Sequence, residues 1–188
     1  GVAPAVIFYN VYECGSDDED TASETVDTSA AGANVLIADG TINNVTGSYV
    51  ARIYDPDTVE LSEDGTEVVD SKKLHKYDGA FYSKMSMNVD GGEAGTGVLN
   101  ITADNEGLDT ELHLTINGGT INITSGNDGI NTNEDNVSVT TINGGSLNIR
   151  VTGETGEGDG IDSNGWLVIN GGDVTAAACS TSGDAGLD

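Results

Sequence analysis

The stretch Leu114-Thr115-Ile116-Asn117-Gly118-Gly119-Thr120-Ile121-Asn122-Ile123 decides the fold, because its central Ile-Asn-Gly-Gly motif recurs along the chain. The motif returns at residues 142–145 and 169–172, and a Val-Asp-Gly-Gly variant occupies residues 89–92. Successive motifs begin at positions 89, 116, 142 and 169, so their spacings are 27, 26 and 27 residues. A fixed period of this length indicates that one structural unit is repeated.

An acidic motif interleaves with the first motif and occurs once in each repeat. It reads Glu-Gly-Leu-Asp at 106–109, Asp-Gly-Ile-Asn at 128–131, Asp-Gly-Ile-Asp at 159–162 and Gly-Leu-Asp at 186–188. Two different motifs that share one period support the conclusion that the repeat is structural.

The residues around each Gly-Gly pair alternate between apolar and polar side chains. Leu112, Leu114 and Ile116 precede the pair at 118–119, and Ile121 and Ile123 follow it. This alternation predicts short, half-buried strands that are bounded by turns. Three such strands and three turns in roughly 26 residues are the size of one β-helix coil. A unit so small must stack on its neighbours to bury a core.

The sequence therefore predicts an all-β fold, a right-handed parallel β-helix (solenoid) of about seven coils. An ordinary β-sandwich is the alternative, but it would not need motifs held in register. Because no linker divides the chain, we expect one domain over residues 1–188, with irregular coils over 1–75 and regular coils over 76–188. Since the chain ends within a repeat, we expect it to be a fragment of a longer protein.

The chain is strongly acidic, with 32 acidic residues, 6 basic residues and a formal net charge of −26. This balance argues against nucleic acid as a partner, because phosphate neutralisation needs Lys and Arg, and against an anionic membrane surface. No apolar run approaches the length needed to span a membrane, so we expect no membrane insertion. Acidic residues at fixed positions indicate instead a protein that binds cations.

The two cysteines, Cys14 and Cys179, are predicted to be unlinked thiols. At roughly 26 residues per coil and about 4.8 Å between coils, the intervening chain would separate them by roughly 30 Å. A disulfide requires Cα atoms within about 7 Å of each other.

Stacked coils place equivalent residues about 4.8 Å apart, in ladders along the outside of the helix. Like charges this close repel each other. Calcium binds about six to eight carboxylate, amide, carbonyl and water oxygens, and it would remove that repulsion. The alternative is that Asp-Gly and Asn-Gly simply form turns. We accept that explanation for the Asn-Gly-Gly motif, but turns alone do not require carboxylates on both sides of a glycine.

The predicted calcium ligands form two ladders that flank a buried apolar row. The first ladder consists of Glu106, Asp128 and Asp159, the second of Asp109, Asn131, Asp162 and Asp188, and the buried row between them of Leu108, Ile130, Ile161 and Leu187. Further oxygens are expected from Asn105, Asn127, Glu134, Asp135 and Asp184. Zinc is not expected, because the chain has only two histidines and no Cys/His cluster.

The second part of the chain resembles a known family. The resemblance is carried by residues 77–84 (YDGAFYSK), 105–110 (NEGLDT), 114–119 (LTINGG), 125–134 (SGNDGINTNE) and 156–172 (GEGDGIDSNGWLVINGG). These segments resemble the β-helical carbohydrate-binding domain proteins of clostridia and gut bacteria, which are similar in structure to the family 9 polysaccharide lyases. The resemblance implies a bacterial, extracellular or cell-surface β-helix with bound calcium that binds plant cell-wall polysaccharide such as pectin or cellulose.

Physical chemistry distinguishes two kinds of polysaccharide. Polygalacturonate and this acidic chain repel each other, and calcium would bridge their carboxylates. A neutral glucan would instead need exposed aromatic faces. Trp166 is the best candidate because it has the outward phase of its strand, although a role in covering the core fits it equally well. Tyr77 and Tyr82 form a second aromatic cluster.

Two other functions are possible. A calcium-dependent pectate lyase needs a Lys or Arg base, and Lys84 and Lys76, which flank the tyrosines, are the candidates. Solvated surface lysines are the alternative explanation for both. A structural adhesin or filament would use calcium only to stiffen the solenoid, and its exposed coil edges would allow self-association. Because no base lies within the acidic motifs, we rank binding above catalysis.

Overall fold

The computed structural model describes residues 3–8, 32–54, 60–66, 68–70, 73–153, 158–180 and 183–188. These residues form strands and turns without a helix, so none of them forms a helix that could cross a membrane. The strands are β1 (Val6–Phe8), β2 (Ala33–Leu36), β3 (Ile42–Gly47), β4 (Val50–Tyr54), β5 (Glu60–Leu61), β6 (Val68–Asp70), β7 (Lys73–Tyr77), β8 (Gly79–Ser83), β9 (Met87–Asp90), β10 (Val98–Ala103), β11 (Glu106–Thr110), β12 (Leu114–Ile116), β13 (Thr120–Ser125), β14 (Ile130–Thr132), β15 (Val139–Ile142), β16 (Ser146–Val151), β17 (Ile161–Ser163), β18 (Trp166–Ile169) and β19 (Asp173–Ala177).

Fifteen of the described strands form three parallel sheets of five strands each. Sheet A has the order β1-β8-β11-β14-β17, sheet B the order β2-β9-β12-β15-β18, and sheet C the order β3-β10-β13-β16-β19. The chain visits sheets A, B and C in turn and then begins the next coil. This is a parallel β-helix, which confirms the predicted fold class.

The repeat motifs occupy equivalent places in successive coils. Ile116 pairs with Val89 on one side and with Ile142 on the other, and Ile142 pairs with Ile169. The turn that follows each of these residues is Asn-Gly-Gly, or Asp-Gly-Gly after Val89, and it joins a strand of sheet B to a strand of sheet C. The second glycine of each turn has a left-handed backbone, which favours glycine. These glycines and their φ angles are Gly92 (76°), Gly119 (86°), Gly145 (90°) and Gly172 (90°).

Asparagine side chains hydrogen-bond along the helix axis. The Nδ2 atom of Asn100 donates to Oδ1 of Asn44 at 2.9 Å, Asn122 donates to Asn100 at 2.8 Å, and Asn148 donates to Asn122 at 3.0 Å. These bonds confirm that asparagine has a structural role in this fold. A second ladder, built from the Asn-Gly-Gly motif, joins Asp90, Asn117, Asn143 and Asn170 through bonds of 3.0, 2.8 and 2.9 Å.

The described strands form five coils, whereas about seven coils were predicted for the chain. In the region expected to form irregular coils, the described strands β1, β2 and β3 supply one coil, and the next four strands lie outside the three sheets. The β4 strand pairs antiparallel with β7, and β5 pairs antiparallel with β6. These four strands therefore pair with local partners and not with a neighbouring coil.

The cysteine prediction is not tested by this fold. Cys179 is half-buried in the segment after β19, and Cys14 lies outside the described residues. The absence of a disulfide between them stays a prediction.

Candidate functional site

The acidic motif lies on sheet A, in the register that the sequence predicted. Leu108, Ile130 and Ile161 pair with one another across three coils, and Leu187 continues the row through a bridge to Ile161. The first three side chains are fully buried. Leu187 is 45 % exposed, because no described strand stacks on it. The buried apolar row between the two acidic ladders is therefore confirmed for these three coils.

The inner members of the two acidic ladders are buried, whereas the sequence led us to expect them exposed along the outside of the helix. The exposed fraction is 3 % for Glu106, 0 % for Asp109, 7 % for Asp128 and 6 % for Asn131. Neighbouring segments cover the outer face of sheet A. The loop after β14 supplies Asn133, whose Nδ2 donates to Oδ1 of Asp109 at 2.6 Å.

The Asp128 carboxyl is buried and has a raised pKa. Its Oδ1 accepts a hydrogen bond from the Asp159 backbone N–H at 2.7 Å, and its Oδ2 accepts one from Asn127 Nδ2 at 3.4 Å. The pKa of Asp128 is raised to about 7, mainly by burial and also by the negative charges of Asp162, Asp159 and Asp109, against the lowering effect of the Asp159 N–H. Ionisation of this carboxyl is therefore less favourable in the folded protein than in water.

The outermost coil presents the ladder to solvent. Asp159 and Asp162 are half-buried, and Asp188 is exposed. Oδ1 of Asp159 accepts a hydrogen bond from the Ala185 N–H at 2.6 Å. Burial raises the pKa of Asp159, and the charges of Asp184 and Asp188 act in the same direction. The charge repulsion within the acidic motif thus extends from the buried coils to the open one.

The other predicted ligands are divided between two places. Asn127 and Asp184 lie beside the ladders, where Oδ2 of Asp184 accepts from the Gly158 N–H at 2.9 Å. Glu134 and Asp135 follow the other end of β14, and the backbone of Glu134 donates to the carbonyl of Glu111 at 3.2 Å. The predicted ligands therefore do not converge on one point.

Sequence reasoning missed Glu111, which is buried at this second place. The Tyr82 hydroxyl donates to its Oε1 at 2.7 Å. The signal was present in the sequence, because a Ser or Thr ends four of the five described strands of sheet A, and the residue after it is polar. The paired hydroxyl residues are Ser83, Thr110, Thr132 and Ser163, and the residues after them are Lys84, Glu111, Asn133 and Asn164.

The ladder residues offer the kind of donor atoms that calcium prefers, but their side chains are not grouped around one point. Their donors are carboxylate and amide oxygens, which a hard cation prefers, and their mutual repulsion is the kind that a cation relieves. Within the described ranges, however, no three Asp, Glu, His or Cys side chains are grouped as a metal site. A calcium ion at the ladders would need amide, carbonyl, water or ligand oxygens beside one or two carboxylates.

The predicted aromatic residues are in different environments. Trp166 is 56 % exposed and pairs with Val139, as the alignment predicted. Tyr82 is 1 % exposed and forms an edge-to-face contact with Tyr77, with 5.1 Å between ring centroids. Tyr77 is half-buried, so Trp166 has the most exposed ring of the three. Lys84 is buried, and the side chain of Lys76 lies outside the described part of the chain.

Comparisons with known proteins give one match. A family model described as "Carbohydrate-binding domain-containing protein" matches residues 17–186. A search of curated proteins and a search of solved structures each found no match.

Proposed function

Because the chain belongs to the family of carbohydrate-binding domain-containing proteins, we propose that it binds an extended plant cell-wall polysaccharide, either pectin (polygalacturonate) or cellulose. The family match over nearly the whole chain is the observation that carries this proposal. The parallel β-helix supports it, because equivalent side chains repeat along the axis at about 4.8 Å and so suit a polymer with a repeating unit.

Calcium is part of the proposal. Asn131 and its neighbours in register, Asp109 and Asp162, would offer oxygen donors to the ion, beside carbonyl, water or ligand oxygens. Bound calcium would supply positive charge and ligand positions for uronate oxygens in an otherwise acidic region. The fold holds carboxylates close together. The raised pKa of Asp128 shows that keeping this carboxyl ionised there costs free energy.

The proposed location is extracellular or on the bacterial cell surface. A polymer of the plant cell wall is found outside bacterial cells, so a protein that binds it must act there. The proposal is independent of where the chain begins or ends.

Retention on insoluble polysaccharide tests the proposal. The protein is applied to columns of cellulose and of polygalacturonate that is covalently attached to beads, in parallel buffers that contain calcium or a chelator. We expect retention on at least one polymer, and loss of pectate retention in the chelator if calcium forms the bridge. Passage through both columns in both buffers would contradict polysaccharide binding.

Trp166 provides a more specific test on cellulose. Trp166→Ala removes an exposed ring that can stack on a pyranose face, and we expect roughly fivefold weaker binding. The matched control is Tyr49→Ala, which removes another exposed aromatic residue. Equal retention of the two variants and the wild type would remove Trp166 from the proposed site.

The pectate experiment also separates binding from cleavage. A lyase would release unsaturated oligosaccharides, which are followed by their ultraviolet absorbance. Burial of Lys84 leaves this candidate base little access to a polymer. We therefore expect no calcium-dependent rise in absorbance, and a rise that is lost in Lys84→Ala or Lys76→Ala would replace binding by catalysis.

A further inference from the structure

A groove on sheet C lies apart from the acidic motif. Its volume is about 720 Å³, and it crosses the outer face of β13, β16 and β19 beside the segment that follows β19. Two rows of side chains run across it from coil to coil. The first row is Asn122, Asn148 and Thr175, and the second is Thr124, Arg150 and Ala177.

The charge of the groove is opposite to that of the molecule. No Asp or Glu is among the described residues that line it, although the net charge of the chain is −26. Its one charged lining residue is Arg150, which is exposed. Within the described part of the chain, Arg150 has no ion pair with a carboxylate. A guanidinium in this state is available to a carboxylate of a ligand, with which it forms paired hydrogen bonds.

The groove also begins where the asparagine ladder ends. Asn148 donates its amide N–H to Asn122, but the next coil has Thr175 in the equivalent place. In the described structure the Oδ1 of Asn148 therefore accepts no hydrogen bond from a following asparagine. This oxygen and the hydroxyls of Thr124 and Thr175 lie on both sides of Arg150, where they can contact sugar hydroxyls.

We propose that this groove binds an acidic polysaccharide by pairing Arg150 with a uronate carboxylate, without calcium. This inference rests on the proposed polysaccharide binding and names uronates as the ligand class. Successive coils repeat at about 4.8 Å, close to the length of one pyranose in an extended glycan. A glycan that runs along the helix axis meets one coil of the groove per sugar, and Arg150 recognises the carboxylate of the central sugar.

An NMR titration tests the inference on the whole chain. The probe is trigalacturonate, added in the presence of a chelator and about 0.15 M salt, where screening limits repulsion by the distant acidic residues. We expect shift changes at the backbone amides of β13, β16 and β19. The fully methyl-esterified trisaccharide has the same backbone without charge, and we expect its binding to be about tenfold weaker.

Variants assign the effect to Arg150. Arg150→Gln keeps a polar side chain without the charge and is expected to weaken trigalacturonate binding about tenfold, with little effect on the methyl ester. Lys73→Gln, on β7 outside the groove, changes the net charge by the same amount and is expected to bind as the wild type does. Unchanged melting temperatures show that each variant is folded.

The outcomes are distinct. Loss of trigalacturonate binding in Arg150→Gln alone supports the inference. Equal binding by Arg150→Gln and the wild type, or shift changes that map to sheet A, overturns the groove while polysaccharide retention on the columns stands. Failure of the wild type both in the titration and on every column overturns this inference together with the proposed function.

Discussion

At the residue scale, Asp128 couples stability to pH. Its folded-state pKa of about 7 lies above the value of 3.8 for the unstructured group, so the folded state binds the proton more tightly. The stability that this proton contributes is complete below about pH 4 and is lost as the pH rises through 7. In a chelator, we expect wild type to lose roughly 2 kcal/mol between pH 5 and 8 relative to Asp128→Asn, or about 4–8 °C in Tm.

Thermal melts of both proteins at pH 5, 6, 7 and 8 measure this difference. The pH profile of the wild type is compared with that of Asp128→Asn because the neighbouring acidic residues, including Asp109, Asp159 and Asp162, are present in both proteins. Parallel pH profiles for the two proteins would show that burial of Asp128 does not control the pH dependence.

A second residue-scale prediction compares two isoleucines in one row. Ile142 is fully buried, whereas its partner Ile169 in the last coil is 45 % exposed. Ile142→Ala should cost about 2–5 kcal/mol, because the closed core cannot collapse around the lost atoms. Ile169→Ala should cost less than half of that. Urea denaturation measures both values, and equal losses would mean that the last coil is as closely packed as the inner ones.

At the element scale, the Asn-Gly-Gly turn has two glycines with different tasks. Gly119 has a φ of 86°, whereas an added Cβ at Gly118 would lie an ordinary 3.6 Å from the nearest backbone atom. We expect Gly119→Ala to cost about 1–3 kcal/mol through backbone strain. Gly118→Ala should change stability by less than about 1 kcal/mol. Denaturation midpoints of the two variants check this, and a reversed order would contradict the assigned backbone.

Also at the element scale, the strands that the sequence predicted best are those next to a turn with fixed chemistry. Leu108, Ile130 and Ile161 could be aligned because each follows a glycine, and their pairing is as predicted. Burial of the ladders could not be predicted, because it depends on side chains from other segments. Asp109 is covered through Asn133 and the backbone of Asp78, and nothing in the motif indicates these contacts.

At the scale of the whole molecule, the sequence repeat correctly predicted a β-helix, but the predicted number of coils, about seven, exceeds the five that the described strands form. A period identifies coils only where it is present, and before residue 78 it is absent. There Val50–Tyr54 pairs antiparallel with Lys73–Tyr77, and no repeated motif indicates this pairing. Alternation gives the face of a strand and does not identify its partner. The groove at Arg150 was missed for a similar reason, since it is formed by three coils together.

The net charge of the whole molecule would let the proposed calcium stabilise the fold by two routes that can be separated. Any salt screens the repulsion among 32 acidic residues, whereas a bound ion adds stability that grows with the logarithm of its concentration. At matched ionic strength, we expect calcium at about 100 times its Kd to add roughly 2.7 kcal/mol. Magnesium has the same charge but retains its waters and demands a stricter geometry, so it should add much less. Melting curves in calcium, magnesium and sodium chloride make the comparison, and equal curves in the two divalent ions would reduce calcium to a screening ion and remove it from the proposed binding mechanism.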